Sequence, residues 1–502
     1  DLMFYKKKLL VKNSDRIKVK ISNFAGGVNT QVDENSLPIK CAKLSYNYKM
    51  NNGALKTSLG FEPLKFIKNI QSSEERTLQF YDEISAVNNV WFYPYYNNAG
   101  TQESFVLAVS ADSGIYYAQI ISSSKYIYNH DSSISFTSIP NAIYYNLNGN
   151  DVMIVSSKTD GLYVMDVVTS HTIDSTAPKI SSMCRHYERI FAVDSTDRNR
   201  LLFSANMDPT NWDFDIDNAG YINLNDERGA LVKVLSFNDY VYIFKEHGIS
   251  KLSAYGDQTE FAISNLFVSS GKIYGNSVCL CGDRIVFLCQ DGVYSFNGYS
   301  TSKLSLNIEN LFKNVNNDNC CAAYFNGKYY LGLNLNFGDN KQVGCESYAQ
   351  GYINNALLEI DLKNGDINIV RGIDLKALCA VEFQYVNKLV AAFNGEHKAK
   401  LGQLTENGKY FGVDLPKEWI SSYSNLGYPN KTKKVKKVNL ISKEDCQLTL
   451  KTDKEEKTYS IPGSSKTTTV LTNAVGEMFQ FKFSSSAEAE ISNAQLELTV
   501  SR

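Results

Sequence analysis

Proline is scarce in this chain, at 9 of 502 residues, and histidine scarcer, at five. So few prolines leave long stretches free of residues that cannot donate to a strand ladder. The histidines (His130, His171, His186, His247 and His397) show no HxH or HxxxH spacing, which removes the usual histidine-based metal sites. No Gly-x-Ser-x-Gly elbow and no zincin motif occurs. Charge of one sign is also missing. The 51 Lys and Arg against 53 Asp and Glu leave a net charge of −2, without the basic field that duplex-binding proteins carry. No run approaches the roughly 18–20 apolar residues of a membrane span.

What is abundant is aromatic: 32 Tyr and 26 Phe, beside 31 Gly. Tyr and Phe favour pleated, half-buried surfaces and point to an all-β protein. At 502 residues the chain exceeds one ordinary core, so several domains or a repeat array is expected. The ten cysteines (41, 184, 279, 281, 289, 320, 321, 345, 379 and 446) fall mostly inside apolar runs, which suits buried thiols and assembly in a reducing cytosol.

A repeat organises the middle of the chain. Val278–Tyr299 reads as apolar run, Gly-Asp turn, apolar run, Asp-Gly turn, apolar run and Asn-Gly turn, which predicts antiparallel strands joined by hairpins. The second run of each unit recurs at residues 105, 151, 189, 240, 284, 328 and 388, at intervals of 46, 38, 51, 44, 44 and 60. About 40–50 residues holding three or four short strands is a propeller blade. One such sheet cannot bury both faces, and closing a ring of them can. The expected fold is therefore all-β: a six- or seven-bladed β-propeller over residues 85–416, after an extended hairpin segment, 1–84. After residue 417 five alternating strands predict a small C-terminal β-sandwich-like module, 417–502.

Candidate sites are few. Lys6–Lys8 reads as a solvated tail or edge strand, and the run Lys433, Lys434, Lys436 and Lys437 as a strand with one wet face, with nucleic-acid contact as the sharper alternative. Phe24, Gly26 and Gly27 lie in a glycine turn with no phosphate-loop signature. Asp213, Asp215 and Asp217 open like a calcium loop, but Asn218 stands at the glycine position and Leu224 where a bidentate Glu is needed. The metal prediction is therefore none beyond a weak cation loop. Cys279-x-Cys281 with Cys289 and Cys320–Cys321 lacks the CxxC turn of a zinc knuckle. The aromatic run 91–96 suits blade packing better than sugar or base stacking.

Several phrases together carry a resemblance. They are Asn23–Asn29 leading through Leu37-Pro38 to Gly53–Phe61; Arg189–Val193 with Arg200–Ala205 and Asp208-Pro209-Thr210-Asn211-Trp212; and Ala219–Ile222 with Tyr242–Lys245 and Gly248-Ile249. In combination, over roughly residues 20–300, the chain resembles the β-propeller tail proteins of tailed bacteriophages, the nozzle and tail accessory proteins of short-tailed phages. The resemblance implies a virion component assembled in the host bacterial cytoplasm. Its copies, about six, would close a ring by head-to-tail association. Portal, adaptor and other tail proteins would be its partners, and phage DNA would touch the channel transiently. Phe24, Gly26, Gly27 and the lysine run are then candidates for neighbour contacts, with no catalytic residue and no cofactor. The alternative is a propeller that binds glycans or another protein. A propeller glycosidase ranks third, because spacing singles out no carboxylate pair and the Ser-x-Asp-x-Gly-x-Thr-Trp box of sialidase propellers is missing.

Overall fold

The structure, a computed structural model, describes residues 16–21, 24, 26–33, 35–64, 67–68, 84–96, 102–112, 114–122, 125–165, 170–174, 177–214, 219–345, 354–383 and 386–501. It contains two compact units, Leu59–Leu415 and a second made of both chain ends, Asp1–Ser58 with Pro416–Arg502. Lys6–Lys8 lies outside the described residues.

The first unit is a seven-bladed β-propeller. Its second strands, Gln102–Ala111, Asn150–Ser156, Arg189–Asp194, Tyr240–Lys245, Arg284–Cys289, Lys328–Leu333 and Val386–Phe393, fall on the seven repeated runs. Arg189–Asp194 is buried at every position, because both faces of a middle strand are covered by neighbouring blades. The turns follow from sequence as well. Asn148-Gly149 and Asn326-Gly327 turn the first hairpins of blades two and six with positive φ at both residues, the geometry that matches strand twist. Apolar side chains of facing sheets then mesh in wedges. Ile154 and Val164 of blade two meet Ile190 and Leu202 of blade three, and Phe244 and Ile249 of blade four meet Phe287 and Ile285 of blade five. Trp91 and Phe92 pack in such wedges on either side of blade one. The side chains at 93–96 lie outside the described residues.

The ring closes with a borrowed strand. Blade seven takes Leu375–Phe383, Val386–Phe393 and Leu401–Thr405 from late in the chain, and its fourth strand is Gly60–Pro63, antiparallel to Leu401–Thr405. Phe61, fully buried, sets its ring edge-on against Phe393 at 5.3 Å. Val87–Tyr96 of blade one packs on Leu375–Phe383 of blade seven, which completes the circle.

The second unit is a β-sandwich. One sheet runs Tyr48–Asn51, Ala54–Thr57, Glu490–Val500, Lys433–Ser442, Ser464–Gly476, with Ile17–Lys20 also on Glu490–Val500. The other runs Ala42–Tyr46, Lys417–Ser421, Phe479–Ser485, Cys446–Thr452, Glu456–Ile461. Val435, Val438, Leu496 and Leu498 of the first meet Leu448, Leu450, Phe481 and Phe483 of the second in one core. The segment 1–84, expected as a single stretch ahead of the propeller, is thus divided. The described residues between 16 and 58 complete the sandwich, and Gly60–Pro63 completes the ring. The C-terminal module is built from both ends of the chain, not from 417–502 alone.

Candidate functional site

The propeller places one distinctive construction at the start of its inner strands. In blades one, three, four and seven the pairing of first and second strand skips one residue: Asn88, Ser181, Val232 and Lys376. Blade five breaks more widely, between Tyr274 and Cys279. Each skip is a β-bulge, which bends the strand and re-aims the extra residue. All five lie at the beginning of an inner strand and hence at one mouth of the ring. Gly275 is required there, since a Cβ would stand 2.3 Å from the carbonyl oxygen of Val232 in the next blade. Between blades seven and one, Lys376 Nζ donates to Val87 O at 2.9 Å and to Asn88 Oδ1 at 3.3 Å.

A cavity of about 350 Å³ opens at this mouth, lined by Ser181, Val232, Gly275 and Asn276 from the bulges and by Lys158, Ser195, Arg198, Glu246, Lys272 and Asp318 from adjoining turns. Arg198 pairs with Glu246 at 3.2 Å and Lys272 with Asp318 at 2.6 Å. The Lys272 ammonium lowers the Asp318 carboxyl below the usual range, and Lys158 adds to the effect. Ser195 Oγ is buried without a hydrogen-bond partner. The lining holds no histidine, no cysteine and no carboxylate free of a cation. Such a surface can seat a polar ligand but offers no nucleophile with an adjacent base.

The residues singled out from sequence are scattered. Phe24 is 1% exposed, with its ring edge-on to Trp419 at 5.0 Å and Phe483 at 5.9 Å. It is a core residue of the sandwich and so cannot serve as a surface contact. Gly26 lets the turn pass over Cys41, whose Sγ would stand 2.2 Å from a Cβ, and Gly27 holds φ at 62° while its carbonyl accepts from Ala42 N. The lysine run lies on an inner strand of its sheet, Lys433–Ser442, rather than on an edge. Lys433 is fully buried and donates to Tyr428 O at 2.7 Å, Lys437 pairs with Glu497 at 3.2 Å, Lys436 falls at a bulge, and Lys434 is exposed. These four do not form a continuous basic surface. Asp213 is exposed, while Asp215 and Asp217 lie outside the described residues. Among the described residues no cluster of His, Cys, Asp and Glu fit to hold a metal occurs.

All ten cysteines are free thiols. Burial pushes Cys184, Cys289 and Cys321 up to about 12. A hydrogen bond with Cys279, together with burial, holds Cys281 well above its usual range. Thiols this far from ionising are poor nucleophiles and poor metal ligands.

No family model matches this sequence, and no curated protein does. Solved structures match at low identity. BBS1N in complex with ARL6DN is 9% identical over 64% of this chain and 91% of its own, with a TM-score of 0.39. BamB from Moraxella catarrhalis is 12% identical over 72% of this chain and 94% of its own, at 0.37. The N-terminal domain of Nup159 is 10% identical over 69% of this chain and 95% of its own, also at 0.37. Function is not carried across such distances. The blade count rests on this chain's own seven sheets.

The axial construction left little trace in the sequence. A bulge needs a partner strand to be visible, and Asn88, Ser181 and Lys376 are ordinary strand-flank residues until paired. Gly275 was the one available signal, an isolated glycine in an otherwise strand-like run.

Proposed function

We propose that this chain is a non-catalytic structural component of a bacteriophage tail: a propeller subunit of a nozzle or hub ring, around the path of DNA ejection and bearing other tail proteins. The observation that carries the reading is the resemblance over roughly residues 20–300. Its first phrase supplies the sandwich hairpin, with Asn52 and Gly53 at positive φ, and ends in the ring-closing strand. That closure suits a part that must hold its shape under load, since the propeller opens only if Gly60–Pro63 peels from Leu401–Thr405. The net charge of −2 and a lysine run largely spent on internal contacts suit a conduit, where each neutralised phosphate would add salt-dependent drag. Self-association into a ring of about six copies would be heterologous and rotationally closed. The direct test is tail composition. Tailed particles purified from infected cells carry this chain at the tail if the reading holds, and particles that lack it while remaining infectious would overturn it.

One observation favours a second reading, a ligand-binding propeller: the polar cavity at the axial mouth with the unpartnered Ser195 hydroxyl. Particles free of the chain, together with a monomer that binds a small polar ligand there, would decide for it.

A further inference from the structure

Two strained backbone positions on the propeller hold apolar side chains out in solvent. In the first hairpins of blades two, four, five and six, the residues at positive φ are Asn148-Gly149, Asn238-Asp239, Gly282 and Asn326-Gly327. Blade three uses Tyr187, at φ 50°, and close by Met207 sits at φ 58°. Bulky side chains avoid this region, and strain of that kind collects where function demands it. Neither residue gains burial in return, since Tyr187 is 43% and Met207 72% exposed.

These two residues belong to one patch. Met207 N donates to Glu188 O at 3.1 Å, beside Tyr187. The Tyr187 ring meets that of Tyr255, itself 72% exposed, edge-to-face at 5.5 Å. Tyr187 Oη donates to Asp239 Oδ1 at 3.4 Å. Asp239 stands at the Tyr187 ring, Glu188 and Asp208 act on nearby Tyr145, and Asp257 follows Tyr255 by two residues; among the described residues none of the four makes an ion pair within 4.0 Å. Two arginines stand among these carboxylates: Arg185, exposed, acts on Tyr145 together with Glu188 and Asp208, and Arg189 acts on Glu188 and Asp257. Arg189 is buried, donates to Ser204 O at 2.8 Å and lies over Phe203, while Lys251 sits 3.8 Å above the Tyr240 ring.

We propose that this patch is a docking site for an arginine- or lysine-bearing segment of a partner protein. The partner's cationic side chain lies on the faces of Tyr187 and Tyr255, and Asp239, with the excess of carboxylates over arginines around it, supplies the opposite charge. Exposed tyrosine faces attract guanidinium and ammonium groups through the ring quadrupole, and the surrounding negative field steers a basic segment to them. Met207 provides the apolar contact for the stem of such a side chain. The inference stands independently of the tail-ring reading.

The test uses the full chain and a fluorescein-labelled hexa-arginine peptide, read by anisotropy at low and moderate salt. Wild type binds saturably, and Tyr187→Asn and Tyr255→Ala each weaken binding about two- to fivefold, the fold-change expected for one lost cation–π contact at an exposed site. Asn is at home at positive φ, so Tyr187→Asn raises the melting temperature while it lowers affinity, and the loss cannot be assigned to unfolding. Peptide binding unchanged in the Tyr187→Asn, Tyr255→Ala double variant, or no saturable binding to wild type, overturns the proposal. So does a neutral hexasaccharide that binds wild type, but not the double variant, while the peptide stays silent, because the rings would then be a sugar platform.

Discussion

At the scale of single residues, burial decides chemistry. Asp374 is 1% exposed, and burial raises its carboxyl to about 6 from 3.8, against the hydrogen bond it accepts from Asn394 Nδ2. The folded state therefore keeps this proton up to about pH 6, while the unfolded chain releases it near 3.8. Stability contributed by this site rises as pH falls from 7 through 6 towards 4. Its cost above pH 7 reaches about 3 kcal/mol, at about 1.4 kcal/mol per unit. Asp374→Asn keeps an acceptor for Asn394 and removes the charge. Chemical denaturation across pH 4–8 is expected to show it more stable than wild type at pH 8 by up to that amount, with little difference at pH 4.

The lysine run divides in the same way. Lys433 buries its whole side chain to reach Tyr428 O, whereas Lys434 faces solvent. Lys433→Ala leaves a buried carbonyl unpaired and a cavity, and is expected to cost about 2–4 kcal/mol. Lys434→Ala should stay within about 0.5 kcal/mol. Urea unfolding of the two variants distinguishes them. Equal stabilities, with equal losses of salt-dependent DNA binding, would restore the run as a nucleic-acid surface.

At the scale of elements, the closing strand joins the two ends of the propeller ring. Phe61 fills the wedge against Phe393, and a Cβ at Gly60 would stand 2.2 Å from the backbone oxygen of Lys409. Phe61→Ala should cost about 3–5 kcal/mol, the range for a large core truncation. Gly60→Ala should destabilise as well, because backbone cannot yield as a flexible side chain can. Limited proteolysis is the readout: both variants are expected to be cut first within blade seven, and cutting elsewhere at the same rate as wild type would show that closure does not depend on this strand.

Elements also show what a sequence can disclose. The second strands were legible because each is a short apolar run bounded by Asn, Asp or Gly, signals that lie within a few residues of one another. The strand Gly60–Pro63 carries no comparable local signal. Its partner is Leu401–Thr405, more than three hundred residues away, and non-local pairing of that kind has no sequence period. Phe24 misled for a related reason. A glycine turn looks like a surface feature, and only the approach of Trp419 and Phe483 shows that it tucks a ring into a core. Nothing in the sequence sets Tyr187 apart from the other tyrosines, since its backbone strain is invisible until the hairpin is formed.

At the scale of the whole molecule, the topology is a propeller inserted into a sandwich. Among the described residues the chain builds four strands of the sandwich, supplies the last strand of blade seven, travels round blades one to seven and returns. Closing the ring with the first strand makes blade seven the joint on which the propeller's cooperativity depends. It also explains why the first 84 residues look like a separate segment in sequence order. The repeat announced a propeller, and nothing local announced where its final strand would come from.

Whether subunits close into a ring around a path for DNA, as proposed, is read by electron cryo-microscopy of the purified full chain, with its mass measured in parallel by light scattering. A closed ring of about six copies with an axial opening of ~20 Å or more, wide enough to clear a duplex and its counterions, is the expected result. A monomer at every concentration, or a closed assembly with no opening of that width, would contradict it.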